Sequence, residues 1–197
     1  MGEDVRTTAG ETPALQSGMA RIRYVEPRSA SPEVQQIYEH RLGGKAANVH
    51  KAMAHNPQAL TPFLAFHAAA GKSLDRKLWE MVYLRVSFLN DCAYCAQHHM
   101  ASSKKVGLGP EDWRALKFGD VARFAEAEQA ALRYAEKLTR TPAGIGDNDV
   151  DDLRRYFSDQ QIVDLHLLIG LANLANRFTG PLGLEMESSR SESGSSR

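Results

Sequence analysis

The feature that most constrains this chain is a pair of cysteines, Cys92 and Cys95, which are its only two and are separated by two residues. Two histidines, His98 and His99, follow the pair, and Glu80 lies twelve residues before Cys92 in a mostly apolar segment. Thiol, imidazole and carboxyl groups are side chains that transfer protons and form covalent intermediates in enzymes. The stretch from Glu80 to His99 therefore predicts a chemically active site.

Two helices are expected across this stretch. Apolar residues from Leu78 to Leu89 recur at helical spacing, and Ser73 is the expected N-cap of the first helix. Asn90 is expected to stop that helix, and Asp91 is expected to cap the second. The second helix then covers about Cys92 to Val106.

On the second helix, Cys92, Cys95 and His99 occupy positions i, i+3 and i+7, so the three side chains share one face. The cysteines lie in its first turns, where free N–H groups and the helix dipole stabilise a thiolate. His99, one turn beyond Cys95, can accept the thiol proton. The spacing also suits a short, reversible disulfide. His98 points about 100° away from this face, towards solvent or the rim of a pocket.

Glu80 becomes part of the same site if the two helices form an antiparallel hairpin that turns near Asn90. Glu80 lies ten residues before that turn and His99 nine residues after it. At about 1.5 Å per residue, both are roughly 14 Å from the turn and therefore level with each other. The hairpin thus predicts a carboxylate beside an imidazole beside a thiol.

Composition narrows the classes of function. The 24 acidic and 24 basic residues cancel, and no basic stripe with interleaved aromatic residues suggests a nucleic-acid surface. The longest apolar run, Ile162 to Ala175, contains Asp164 and His166 and is too short and too polar to span a bilayer. The N-terminus lacks the apolar core of a signal peptide. These features predict a cytoplasmic protein in a reducing compartment, without nucleic-acid or membrane partners.

The rest of the chain predicts an all-α fold, a single-domain helical bundle that includes the hairpin with the cysteines. The domain is expected to cover residues 21–187, between a disordered N-terminal arm at 1–20 and a disordered tail at 188–197. A capping box at Ser158 and Gln161 opens the most apolar helix. No flavin, haem, nicotinamide or phosphate-loop motif is present, so no cofactor is expected.

The four motif residues, Glu80, Cys92, Cys95 and His99, resemble in type and spacing the signature of alkylhydroperoxidase D-like proteins. These proteins lie within the carboxymuconolactone decarboxylase superfamily, and the resemblance covers roughly the middle and C-terminal helices. One position departs from it, because Tyr94 stands where these peroxidases usually carry a histidine. A phenol, with an ordinary pKa of about 10, donates hydrogen bonds but is a poor base at neutral pH.

The resemblance implies a thiol-dependent peroxidase that reduces a hydroperoxide substrate. Cys95 would attack, Cys92 would resolve the product into a disulfide, and Glu80 with His99 would relay the proton. Cys95 lies one turn from His99, and this position also favours Cys95 as the attacking residue. A lipoyl-type dithiol reductant and a homo-oligomer, a trimer or hexamer, are implied by the resemblance as well.

Other interpretations stay open. A carboxymuconolactone decarboxylase-like enzyme would act on a lactone or keto acid without needing a dithiol. A redox-sensing or metal-binding module would not turn over, although one helix here offers three ligands where structural zinc takes four, so no metal site is expected. An oligomerising scaffold would have unreactive thiols. Tyr94, His67 and His98 are candidates for the pocket wall, with packing as the alternative.

Overall fold

A computed structural model of the protein describes residues 20–187. The expected N-terminal arm, except Ala20, and the expected C-terminal tail lie outside these residues. Within them the fold is all-α, as predicted, and no strand is present. Residues 20–187 form nine α-helices: α1 (Pro32–Leu42), α2 (Asn48–Met53), α3 (Pro57–Ala69), α4 (Arg76–Leu89), α5 (Ala93–Ser103), α6 (Pro110–Phe118), α7 (Glu126–Arg140), α8 (Asp147–Arg154) and α9 (Asp159–Thr179).

Helix α4 lies at the centre of the molecule and contacts α5, α6, α7 and α9. Every residue from Leu78 to Ser87 is buried, including Glu80 and Arg85. A helix that is buried on all sides must satisfy its polar side chains internally. Arg85 does so by donating hydrogen bonds to the carbonyls of Leu116 and Lys117 at the end of α6 and by pairing with Glu136. The two terminal nitrogens of Arg85 therefore have specific partners, whereas its buried Nε has none among residues 20–187.

The start of α4 differs from the prediction. Ser73 is not its N-cap, because Asp75 takes that place and accepts hydrogen bonds from the N–H groups of Lys77 (2.9 Å) and Leu78 (3.3 Å). The backbone N–H of Ser73 instead donates to Asp164 on α9. That tertiary contact holds residue 73 outside the helix, so the first suitable capping residue inside the turn is Asp75.

The predicted hairpin between α4 and α5 is present, but the N-cap of α5 is not the expected Asp91. Asp91 adopts a left-handed conformation (φ 51°), which is incompatible with the extended backbone of an N-cap. Cys92 is the N-cap instead, and its Sγ accepts a hydrogen bond from the Cys95 N–H at 3.3 Å. Helix α5 ends at Ser103, and residues Lys104–Val106 continue as a 3-10 turn rather than as α-helix.

Side-chain amides of asparagine residues fasten helix α9 to the turn between α4 and α5. Asn90 donates to the side-chain oxygens of Asn173 and Asn176, each at 2.9 Å, and Asn176 donates to the Ser87 hydroxyl. The capping box predicted at the start of α9 is observed. These contacts bring Thr179, the last residue of α9, over the first turn of α5. Among residues 20–187, no helix combines the length and the apolar character needed to cross a bilayer.

Candidate active site

The Glu80 carboxylate is the buried centre of the candidate site, and its side chain is 1% exposed. Its Oε2 lies 2.8 Å from Nδ1 of His99 on α5, and its Oε1 accepts a hydrogen bond from Arg76 at 2.6 Å. Burial alone raises the pKa of Glu80, but the hydrogen bond and charge of His99 and the charge of Arg76 outweigh it, so the pKa is below its ordinary value. The carboxylate is therefore ionised at neutral pH.

The His99 ring is clamped between its carboxylate and two aromatic side chains of α4. It stacks on Tyr83 with ring centroids 3.8 Å apart, and Trp79 lies 5.5 Å away. Burial lowers the pKa of His99 despite the opposing effect of Glu80. A neutral imidazole whose Nδ1–H donates to Glu80 carries its free lone pair on Nε2. His99 can therefore act as a base.

The two cysteines lie at the N-terminus of α5 and form a disulfide, with their Cα atoms 5.4 Å apart. The spacing predicted from the sequence is thus compatible with a bond between them. A third group touches both sulfurs: the hydroxyl oxygen of Thr179 lies 3.1 Å from Cys92 Sγ and 3.0 Å from Cys95 Sγ. Thr179 is 1% exposed, and its hydroxyl also donates to the Ala175 carbonyl at 2.9 Å.

A cavity of about 300 Å³ opens beside this cluster. Cys95 and Thr179 contribute to its wall, whereas Cys92 is not among the lining residues. A small molecule in the cavity would therefore meet Cys95 first. The remaining wall combines small apolar and aromatic residues with polar groups, namely Ala47, Val49, His50, Phe63, His67, Arg76, Tyr83, Tyr94, His98, His99, Ser102 and Ala175.

Three of the four histidines of the cavity wall, His50, His67 and His99, carry little positive charge. Burial lowers the pKa of His50 to about 4, and burial together with the charges of His99 and Arg76 lowers the pKa of His67. His67 packs edge-on against Trp79 at 5.8 Å. The imidazoles of His50, His67 and His99 are therefore neutral donors and acceptors at pH 7, and the Arg76 charge is matched by Glu80.

Tyr94 and His98, the other two candidates, lie together at the side of the cavity and face Glu187. The Tyr94 hydroxyl donates to Glu187 at 2.9 Å and accepts from the Val49 N–H at 3.1 Å, and burial raises its pKa. His98 Nε2 lies 2.9 Å from the Glu187 carboxylate without hydrogen-bond alignment. Tyr94 therefore fixes the C-terminal segment against α2, as well as lining the cavity.

Sequence reasoning missed several participants. Thr179 is distant in the chain and ends an apolar helix, and no local pattern marks it. Arg76 could have been predicted from its spacing, because Arg76 lies four residues before Glu80 on the same helix face. Among residues 20–187, no group of three or more His, Cys, Asp or Glu side chains is placed to hold a metal ion.

Comparison with known proteins gives a family match. The model of the Carboxymuconolactone decarboxylase family matches residues 57–137, which include Glu80, both cysteines and His99. The uncharacterized protein YdfG of Bacillus subtilis (strain 168) is 29% identical over 113 residues, covering 56% of this chain and 77% of YdfG. The uncharacterized protein YnjA of Escherichia coli (strain K12) is 30% identical over 118 residues, and the chain spans 62% of its length.

A solved structure shares the fold. It is an uncharacterized peroxidase-related protein from Ralstonia eutropha JMP134, described as an alkylhydroperoxidase AhpD core. The TM-score is 0.76 at 22% identity, and the match covers 86% of this chain and 93% of that one. The alkylhydroperoxidase D-like fold expected from the motif is therefore confirmed.

Proposed function

We propose that this chain, a member of the alkylhydroperoxidase D-like and carboxymuconolactone decarboxylase superfamily, is a thiol-dependent oxidoreductase that reduces hydroperoxides at Cys92 and Cys95. The superfamily supports peroxidase-related or carboxymuconolactone decarboxylase-like chemistry in general. The observation that carries the peroxidase proposal is the cavity whose wall includes both Cys95 and His99, with the ionised Glu80 bonded to His99. A base and a sulfur that can pair with a second sulfur are what a dithiol peroxidase needs.

In the proposed reaction, His99 takes the proton of the Cys95 thiol, directly or through water, while Glu80 holds the ring. The thiolate attacks the terminal oxygen of the hydroperoxide, the O–O bond breaks, and the alkoxide leaves with the proton from His99 as an alcohol. Cys95 is now a sulfenic acid. The Cys92 thiol displaces its hydroxyl group as water and forms the disulfide, so one hydroperoxide is reduced as two thiols are oxidised.

A dithiol is proposed to complete the cycle. Exchange with its two thiols returns both cysteines to the reduced form and leaves the donor as a disulfide. The resemblance to alkylhydroperoxidase D-like proteins suggests a lipoyl-type donor. A reducing compartment such as the cytoplasm would keep such a donor available. The neutral side chains of His50 and His67 in the cavity wall favour a hydroperoxide without a net charge.

Thiol titration tests the proposal. Reduced protein is mixed with one equivalent of cumene hydroperoxide, and two thiols per chain are expected to disappear and to return on addition of dihydrolipoamide. In the Cys92→Ser variant, a sulfenic acid that reacts with dimedone is expected on Cys95. Thiol counts that do not change would refute the peroxidase function, and sulfenic acid confined to the Cys95→Ser variant would reverse the two roles.

The carboxymuconolactone decarboxylase-like alternative rests on the family match over residues 57–137. Decarboxylation or lactone chemistry does not consume thiols, so its activity would survive in the variant with both cysteines changed to serine. Loss of all turnover in that variant, with the fold retained, favours the peroxidase. A sensing or metal-binding module would instead hold stoichiometric zinc after purification.

A further inference from the structure

We infer that Thr179 is a further catalytic residue, whose hydroxyl donates a hydrogen bond to the Cys95 thiolate and so holds the nucleophile in its charged form. The inference rests on the proposed function, because it assigns a role within the same dithiol. It begins from geometry: one buried hydroxyl lies within 3.1 Å of both sulfurs.

The hydroxyl is held in place by its helix. Thr179 is the last residue of α9, and its neighbour Asn176 fastens that end of the helix to Asn90 and Ser87. A buried hydroxyl has few possible partners, and among residues 20–187 the acceptors within reach of Thr179 are the two sulfurs and the carbonyl of Ala175. Its position is therefore set before any thiol is reduced.

The proton of this hydroxyl has a different best acceptor in the two redox states. In the disulfide, the sulfurs are weak acceptors and the proton lies on the Ala175 carbonyl at 2.9 Å. In the reduced state, a thiolate is the stronger acceptor, because hydrogen bonds to charged groups are about twice as strong as neutral ones. When the hydroxyl proton turns to the thiolate, the Ala175 carbonyl is still satisfied, because it accepts the backbone hydrogen bond of its helical turn.

The two sulfurs differ in how far they depend on the Thr179 hydroxyl for a hydrogen bond. Cys92 Sγ already accepts the N–H of Cys95 at 3.3 Å as the N-cap of α5. For Cys95 Sγ, the Thr179 hydroxyl is the hydrogen-bond partner found among the described residues. Cys95 and Thr179 also share the wall of the cavity, where substrate would approach. The hydroxyl therefore serves Cys95 more than Cys92.

The test measures deprotonation of one thiol without any peroxide. In the Cys92→Ser background, which retains a good N-cap for α5, the alkylation rate of Cys95 by iodoacetamide is followed against pH. Thr179→Val, which keeps the shape and removes the hydroxyl, is expected to raise the midpoint by about one pH unit, since charged hydrogen bonds contribute about that much. Thr179→Ser, which restores the hydroxyl, is expected to return the midpoint close to that of the parent.

In this Cys92→Ser background, two outcomes would overturn the inference: an unchanged or lower midpoint in Thr179→Val, or an equal rise in Thr179→Ser. Thr179→Ala replaces the valine variant if the latter does not fold, and the same rise is expected. Ser103→Ala is the matched control, because it removes another fully buried hydroxyl of the same region, bonded to Trp113 rather than to sulfur. Its midpoint should equal that of the parent.

The same substitutions in the Cys95→Ser background decide which sulfur is served. There the Cys92 thiol keeps its backbone donor, so Thr179→Val is expected to move its midpoint by less than half as much. A larger shift there would assign the hydroxyl to Cys92 and overturn the inference. Because none of these measurements uses a hydroperoxide, a protein that proves inactive towards peroxides still gives a clear result on Thr179.

Discussion

At the scale of single residues, the site depends on how Glu80 divides its two oxygens between neighbours. One oxygen binds His99 and the other binds Arg76, so the carboxylate of Glu80 and the charge of Arg76 act on the base His99 in opposite senses. Glu80 raises the pKa of His99, whereas the positive charge of Arg76 lowers it. Burial is the largest cause that lowers the pKa of His99, and Glu80 and Arg76 then adjust that pKa in opposite directions.

Paired substitutions test that balance. Activity depends on neutral His99, so it falls as the pH drops through the His99 pKa, which burial places below the ordinary 6.5. In Glu80→Gln, this acid limb is expected at lower pH, with a maximal rate about tenfold lower because the ring loses its charged partner. In Arg76→Gln, the limb is expected at higher pH. The rate of thiol loss with cumene hydroperoxide, measured against pH, checks both.

Shifts in the same direction in both variants would contradict this account of the base. A limb that does not move at all would mean that another group titrates.

Residues near in the sequence could be predicted, and residues joined only by packing could not. The contact of Glu80 with His99 follows from counting residues around one hairpin turn. Thr179 lies 84 residues after Cys95, and its approach depends on how α9 is fastened to Asn90. No local spacing contains that information.

At the scale of elements, helix boundaries show how tertiary contacts choose between equivalent local signals. Ser73 and Asp75 are both good N-cap residues and lie two positions apart. Asp164 on α9 binds the Ser73 backbone, and Asp75 then caps α4. Similarly, the tight turn after Asn90 places Asp91 in a left-handed conformation, and the cap passes to Cys92. Propensity alone predicts the helices but not these caps.

Substitutions of Ser73 and Asp75 should have different effects on the stability of the protein. Asp75→Ala removes the observed cap of α4 and is expected to lower the free energy of unfolding by about 1 kcal/mol. The Ser73 hydroxyl is buried without a hydrogen-bond partner among residues 20–187. Ser73→Ala is therefore expected to change stability by less than about 0.5 kcal/mol or to raise it. Urea denaturation of both variants measures the difference, and a greater loss in Ser73→Ala would reverse the assignment of the cap.

At the scale of the whole molecule, α9 presents an apolar stripe that the rest of residues 20–187 leaves exposed. Val163, Leu167 and Leu174 are 57%, 41% and 52% exposed, and together with Gly170 they fall within about 60° of one helix face. Leu174 also borders an apolar groove of about 560 Å³ that includes Phe66. We propose that a second copy of the chain covers this stripe, in line with the homo-oligomer suggested by the resemblance.

Charged substitutions test the oligomer. Leu167→Glu and Leu174→Glu together are expected to convert the protein to monomers in sedimentation velocity, because a carboxylate buried in an apolar interface loses its hydration. Phe118→Glu is the matched control, since Phe118 on α6 is 73% exposed and lies outside the stripe; it should leave the assembly intact. A monomeric wild-type protein, or an unchanged assembly in the double variant, would refute the proposal.

The contact between the Thr179 hydroxyl and the two cysteine sulfurs also has a consequence for biosynthesis. The sulfurs of Cys92 and Cys95 are synthesised 87 and 84 residues before the Thr179 hydroxyl that contacts them at the end of α9. A growing polypeptide on the ribosome therefore carries two thiols that lack this contact. In the proposed mechanism, Cys95 gains its full reactivity only after α9 has been synthesised and has docked against the cysteines.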